Sequence, residues 1–207
     1  VLICIPKPIQ DIKPYKEKTK IFWKNFVRWY GNKLIPYFDE DYYYGNTNFT
    51  RWYMDYMEMS GAETRLKNLK KIWDDREITI IEGNKTKMGV GNDLFSNAKS
   101  IQRIIAPNIN AFEKYDEIFE EAKKIEKKQL ILIALGPTAT ILAYDLAQIG
   151  YQALDVGHVD IEYEWFKIQA KDKVLIPNKF VNEAGGINFL SEKKDEAYNE
   201  SIISVIE

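Results

Sequence analysis

Only one cysteine, Cys4, and one histidine, His158, occur in 207 residues. A single thiol excludes a disulfide framework and any multi-cysteine zinc site, and it fits a reducing compartment. A single imidazole excludes metal sites that need two histidines. An excess of one charge is also missing: 29 Lys+Arg face 31 Asp+Glu, for a net charge of −2. That balance argues against a dedicated nucleic-acid binder, which carries a basic surplus. Long hydrophobic runs are absent too. The longest, 130–142, is broken by Gly136-Pro137 and falls short of the ~20 residues of a membrane span. With no signal peptide in view, the expected location is the cytoplasm, with peripheral attachment to a membrane left open. Repeats and low-complexity linkers are lacking, so residues 1–207 are expected to form one domain. The sequence opens at Val1 inside an apolar run, which is read as the loss of a preceding N-terminal segment.

What is present is an ordinary globular composition, 45% hydrophobic and 29% charged, which excludes disorder. Strand-like and helix-like patterns alternate. Residues 1–5 read as a buried strand, and 15–30 as a helix with Ile21, Phe22, Phe26, Trp29 and Tyr30 on one face. Ser60 and Glu63 form a capping box ahead of a helix carrying Leu66, Leu69, Ile72 and Trp73. Strands follow at 78–81, 103–106, 130–135 and 153–156. A short helix at 94–99, a helix from Asn110 to Lys127 and another at 138–148 lie between them. The continuous apolar runs at 78–81 and 130–134 suit strands covered on both faces. The tail 184–207 is expected to pack as a peripheral helix. The fold class is therefore α/β, with a mostly parallel sheet flanked by helices.

In such sheets ligands lie beyond the carboxyl ends of the strands, which selects 82–93, 107–110, 136–140 and 157–164. Gly136-Pro137-Thr138-Ala139-Thr140 joins a strand to a helix, so backbone amides and the hydroxyls of Thr138 and Thr140 are candidates to hold a phosphate. A plain capped turn accounts for the same residues equally well. Gly89-Val90-Gly91-Asn92 lies in a long loop after a strand, but Leu94 stands where a dinucleotide fingerprint has its third glycine, which disfavours NAD. Asp160 and Glu162, two apart, would point to one side of an extended chain and share a divalent cation. As a helix N-terminus the same acids would simply favour the dipole. Glu164 continues the spacing as a third ligand or a general base, and His158 stands at a strand end. Arg51, among Tyr42, Tyr43, Tyr44, Phe49, Trp52, Tyr53 and Tyr56, suits a phosphate beside sugar-binding rings, although core packing of most of those rings is the favoured reading. Lysines at 13–33, mixed with Phe22, Trp23 and Trp29, read as a solvated helix with a packed aromatic side.

These segments together resemble the GT-D-type glycosyltransferases, a bacterial family. The resemblance rests on 78–83, Gly89-Val90-Gly91-Asn92-Asp93-Leu94-Phe95, Arg103-Ile104-Ile105-Ala106-Pro107 with Asn110-Ala111, 135–140, 157–165 and Val181-Asn182-Glu183, in that order. It implies a Rossmann-like sheet and transfer of a hexose, typically glucose, from a UDP-sugar to a glycan or glycopeptide acceptor in surface glycoprotein or polysaccharide synthesis. It further implies that Asp160 and Glu162 carry the family's Asp-x-Glu metal motif, with Mn²⁺ or Mg²⁺ as the ion. Gly136, Pro137, Thr138, Thr140, Gly89, Gly91, Asn92 and Arg51 become the nucleotide-binding candidates, and Glu164 and His158 the catalytic ones. A Gly-Asp-Gly-Glu-like acidic segment usual near the family's N-terminus does not occur in this sequence. The rival reading is a catalytically inactive sugar-nucleotide or glycan-binding module of a glycosylation complex. Homo-oligomerisation is compatible with either.

Overall fold

The computed structural model describes residues 1–187 and 195–207. Nine strands occur among them: β1 (Cys4–Ile5), β2 (Gly45–Asn46), β3 (Glu77–Gly83), β4 (Ser100–Ala106), β5 (Leu130–Ala134), β6 (Gln152–Asp155), β7 (Phe180–Val181), β8 (Gly186–Ile187) and β9 (Ile202–Val205). The α-helices are α1 (Glu17–Leu34), α2 (Ala62–Lys70), α3 (Tyr115–Ala122), α4 (Pro137–Gln148), α5 (Val159–Lys167) and α6 (Glu196–Ser201).

Five strands build the main sheet in the order β6-β5-β3-β4-β9, all parallel. Successive side chains of a strand point to opposite faces, so the unbroken apolar runs of β3 and β5 feed two cores. Ile78, Ile80, Leu130 and Leu132 face a layer made by α2, Trp73 and α5. Ile81, Ile131 and Ile133 face Ile118 and Ala122 of α3 and Ala139, Leu142 and Leu146 of α4. The expected α/β architecture of a parallel sheet flanked by helices is thus the one observed. No helix among the described residues is long and apolar enough to cross a membrane.

Several local expectations are corrected. The N-terminal strand is reduced to β1, which pairs with β2 outside the main sheet, and Val1, Leu2 and Ile3 are exposed. Helix α1 forms, but its aromatic side is not packed: Ile21, Phe22, Trp29 and Tyr30 are exposed, because its contacts run mainly to the turns at Lys7–Ile9 and Ile35–Tyr37. Gly61 rather than Ser60 caps α2, without a side-chain bond. The expected helix at 94–99 is a series of turns that buries Leu94 and Phe95. Asn110, in a left-handed conformation, caps a 3₁₀ turn without a side-chain cap bond, and that turn precedes the short α3. The tail supplies an edge strand, β9, beside β4 after the short α6, where a peripheral helix was expected. Part of that expectation, 188–194, lies outside the described residues.

Candidate functional site

β3 comes first in the main sheet; β4 lies on one side of it, and the chain then crosses to place β5 on the other. The strand order therefore reverses between β3 and β5, the kind of switch point beyond whose carboxyl ends ligands bind in open parallel sheets. The loop after β3 and the Gly136 turn after β5 border it.

The loop after β3 is held from beneath by a buried ion pair. Glu82, the last residue but one of β3, accepts from Arg103 of β4 at 2.5 Å and from the Met88 amide at 2.7 Å, while Arg103 also donates to the Met88 carbonyl at 2.9 Å. Burial pushes the Glu82 carboxyl up to about 7, against the pull of Arg103 and the Met88 amide. The loop then turns at Gly89, with φ of 75°, where a Cβ would come within 2.5 Å of the Phe95 ring. Only glycine fits that backbone and that space.

His158 caps α5, and Asp160 and Glu162 lie in its first turn, where acids complement the helix dipole. A helix advances 100° per residue, so positions two apart diverge and positions four apart align. The expectation that Asp160 and Glu162 point to one side of an extended strand is corrected accordingly. Asp160 accepts from the Gly89 amide at 3.0 Å, Asn92 Nδ2 at 2.8 Å and Lys179 Nζ at 2.7 Å. Glu164 shares two of these partners, Asn92 at 2.6 Å and Lys179 at 2.8 Å. Glu162 turns away and accepts from the backbone amides of Tyr53 and Met54 at 2.9 and 2.8 Å. Its Oε1 is buried without a hydrogen-bond partner. Burial pushes the Glu162 carboxyl up to about 7 despite those two amides.

This donor set does not fit a cation shared by Asp160 and Glu162. Both Asp160 oxygens are taken by N–H donors, one of them an ammonium, and Glu162 offers a single spare oxygen elsewhere. Among the described residues no three Asp, Glu, His or Cys side chains converge on one point either.

A second group of side chains runs along the carboxyl ends of β5 and β6. Gly136 starts α4 with φ of 55° and ψ of −141°, and open space surrounds the position a Cβ would take. Pro137 is the first helical residue, where no N–H is needed. Thr140 donates to Asp155 at 2.8 Å, so its hydroxyl is engaged by an acid, while Thr138 is buried. Burial raises the Asp155 pKa, against the Thr140 and Gly157 donors. Next in the chain, His158 meets Arg51 Nη2 at 3.2 Å, and Arg51 Nη1 pairs with Glu183 at 2.6 Å. Lys173 completes the group 3.2 Å from Glu183. Burial, then Arg51, lowers His158 to about 4, so it is neutral at pH 7. Burial would raise Glu183, but His158, Arg51 and Lys173 together hold its carboxyl below the ordinary carboxylate value.

The structure thus brings Gly89, Asn92, Asp160 and Glu164 together, and Arg51 with His158. It separates Glu162 from Asp160, and Gly91 has nothing near its would-be Cβ. Four residues escaped individual selection from sequence: Glu82, Arg103, Lys173 and Lys179. A charge closing the apolar run of β3 and another inside β4 were the available signals for the first pair. The lysines gave none, because their partners are distant in sequence. Glu183 entered only as part of a resembling string.

Comparison with known proteins now adds to this geometry. The model of the family described as "Glycosyltransferase GT-D fold" matches residues 1–184. A protein of Streptococcus pneumoniae named glycosyltransferase GlyD is 39% identical over the whole chain, and a probable glycosyl transferase Gly of Streptococcus gordonii is 35% identical over 99% of it. The chain spans only 25% and 30% of those two proteins' lengths. Among solved structures, the domain of unknown function 1792, described as having a distinct glycosyltransferase fold, superposes with a TM-score of 0.93 at 37% identity. The match covers 100% of this chain and 74% of that one. A glycosyltransferase of the same domain type from Streptococcus sanguinis gives 0.92 at 36% identity, over 100% and 77% of the two chains. With the family model spanning nearly the whole chain and the fold shared throughout, this protein belongs to the GT-D-fold glycosyltransferase family.

Proposed function

We propose that this chain transfers a hexose, glucose in the first instance, from a UDP-sugar to a glycan or glycopeptide acceptor of a surface glycoprotein or polysaccharide. One observation carries the reading: the row of groups at the carboxyl ends of β5 and β6, where Thr140 meets Asp155 beside the Gly136 turn and, three residues on, His158 meets Arg51, itself paired with Glu183. The open backbone at Gly136 lets a nucleotide approach closely, and Arg51 offers a planar fork suited to phosphate oxygens. In the reaction the anomeric C–O bond to UDP breaks and a bond to the acceptor oxygen forms. Arg51 takes up charge on the departing diphosphate, an electrostatic contribution that grows in the transition state. Once the diphosphate draws the Arg51 guanidinium off the imidazole, neutral His158 receives the acceptor's hydroxyl proton, and Glu183, 3.5 Å from its Nε2, stabilises the resulting cation. Glu164, tied to Lys179 and Asn92, positions the loop and is not the base.

The test is turnover of UDP-glucose with a panel of glycan acceptors. Wild type is expected to release UDP and glucosylate an acceptor, and His158→Ala to lose at least 100-fold in kcat, within the range for general bases of about 10²–10⁴. An unchanged kcat in His158→Ala would remove that residue from the chemistry. UDP binding without turnover on any acceptor would favour the inactive binding module.

A further inference from the structure

We propose that Lys179 is the resident cation of the Asp160–Glu164 pair, filling the place a divalent ion would otherwise take and fixing the loop after β3 to α5. Lys179 is 4% exposed. Its ammonium bridges Asp160 Oδ2 at 2.7 Å and Glu164 at 2.8 Å, and a lysine so buried stands only when paired. The two acids are one helical turn apart on α5 and would repel without a cation between them. Asn92 Nδ2 bridges the same two carboxylates, and the Gly89 amide closes the set on Asp160. Lys179 thereby connects three segments: α5, the loop after β3, and the stretch leading into β7, whose Phe180 amide donates to the Lys85 carbonyl of that loop at 3.2 Å.

Taking away the ammonium leaves two carboxylates facing one cation-sized space, which hard divalent ions fill with oxygen ligands. Lys179 is thus a positioning residue, and its replacement should create a metal site that the wild-type chain does not offer. The readout is binding of Mn²⁺ to the nucleotide-free chain, followed by loss of the free-ion electron paramagnetic resonance signal. Lys179→Met and Lys179→Gln are expected to bind one Mn²⁺ at least tenfold more tightly than wild type, and adding Asp160→Asn to either is expected to abolish the gain. If loss of the ammonium unfolds the chain, Mn²⁺ should restore its helical circular dichroism. Three results overturn the proposal: a folded variant that binds no tighter than wild type, a variant that stays unfolded in millimolar Mn²⁺, or a wild-type Mn²⁺ site that Asp160→Asn removes. No nucleotide enters the experiment, so its failure is separable from failure of the UDP-sugar reading.

Discussion

Glu162 has neither carboxylate oxygen in contact with water, and only one of them has hydrogen-bond donors. Its folded pKa, raised from 4.5 to about 7, means that the fold prefers the protonated form. The stability this gives is complete below pH 4.5 and is lost as pH rises to about 7. Glu162→Gln keeps an oxygen for the Tyr53 and Met54 amides and removes the charge. The variant should match wild type near pH 4.5 and exceed it at pH 8 by ~1–3 kcal/mol, from about 1.4 kcal/mol per pKa unit. Chemical denaturation at the two pH values checks this, and equal stability at pH 8 would contradict it. Single residues were only partly legible in the sequence. Gly89, Asn92 and Asp160 were selected and do meet directly, while Lys179, which was not selected, ties Asp160 to Glu164. Acidic strings do not reveal whether the backbone is extended or helical, and that alone decides whether neighbours sit at i+2 or i+4.

Among elements, the loop after β3 and the start of α4 carry the sharpest constraints. Arg103→Met would leave Glu82 buried without its charge partner and Met88 without its clamp. A loss of ~3–5 kcal/mol is expected, as for other broken buried pairs, read as a fall in the denaturation midpoint. A fall under 1 kcal/mol would mean that the pair holds nothing in place. Gly136→Ala should cost ~1–3 kcal/mol from backbone strain, since its φ and ψ suit glycine and no neighbour clashes with the added methyl. A thermal melt unchanged from wild type would contradict that. The long buried strands and α4 were readable because period, length and turn residues agree there. The short elements were not. β1 pairs two residues with a distant segment, and β9 joins the sheet across a gap of nearly a hundred residues, information that no local window holds. The aromatic side of α1 shows the reverse error, since helical spacing predicts a face but not what covers it.

For the whole molecule, a parallel sheet buried on both faces forces its strand ends onto one rim, and most candidate residues follow from that placement. The fold class and family were legible because strand–helix alternation and the order of the motifs extend along most of the chain. Which side chains converge on the rim was not, since that depends on contacts such as Arg51 to Glu183, 132 residues apart. The central claim is that the row ending at Arg51 binds the diphosphate of a uridine nucleotide. Calorimetric titration of UDP into the chain and into Arg51→Ala tests it most directly. The account predicts binding by wild type and at least tenfold weaker binding by the variant, a difference of about 1.4 kcal/mol or more. Equal affinities, or no binding by the wild-type chain, would contradict it.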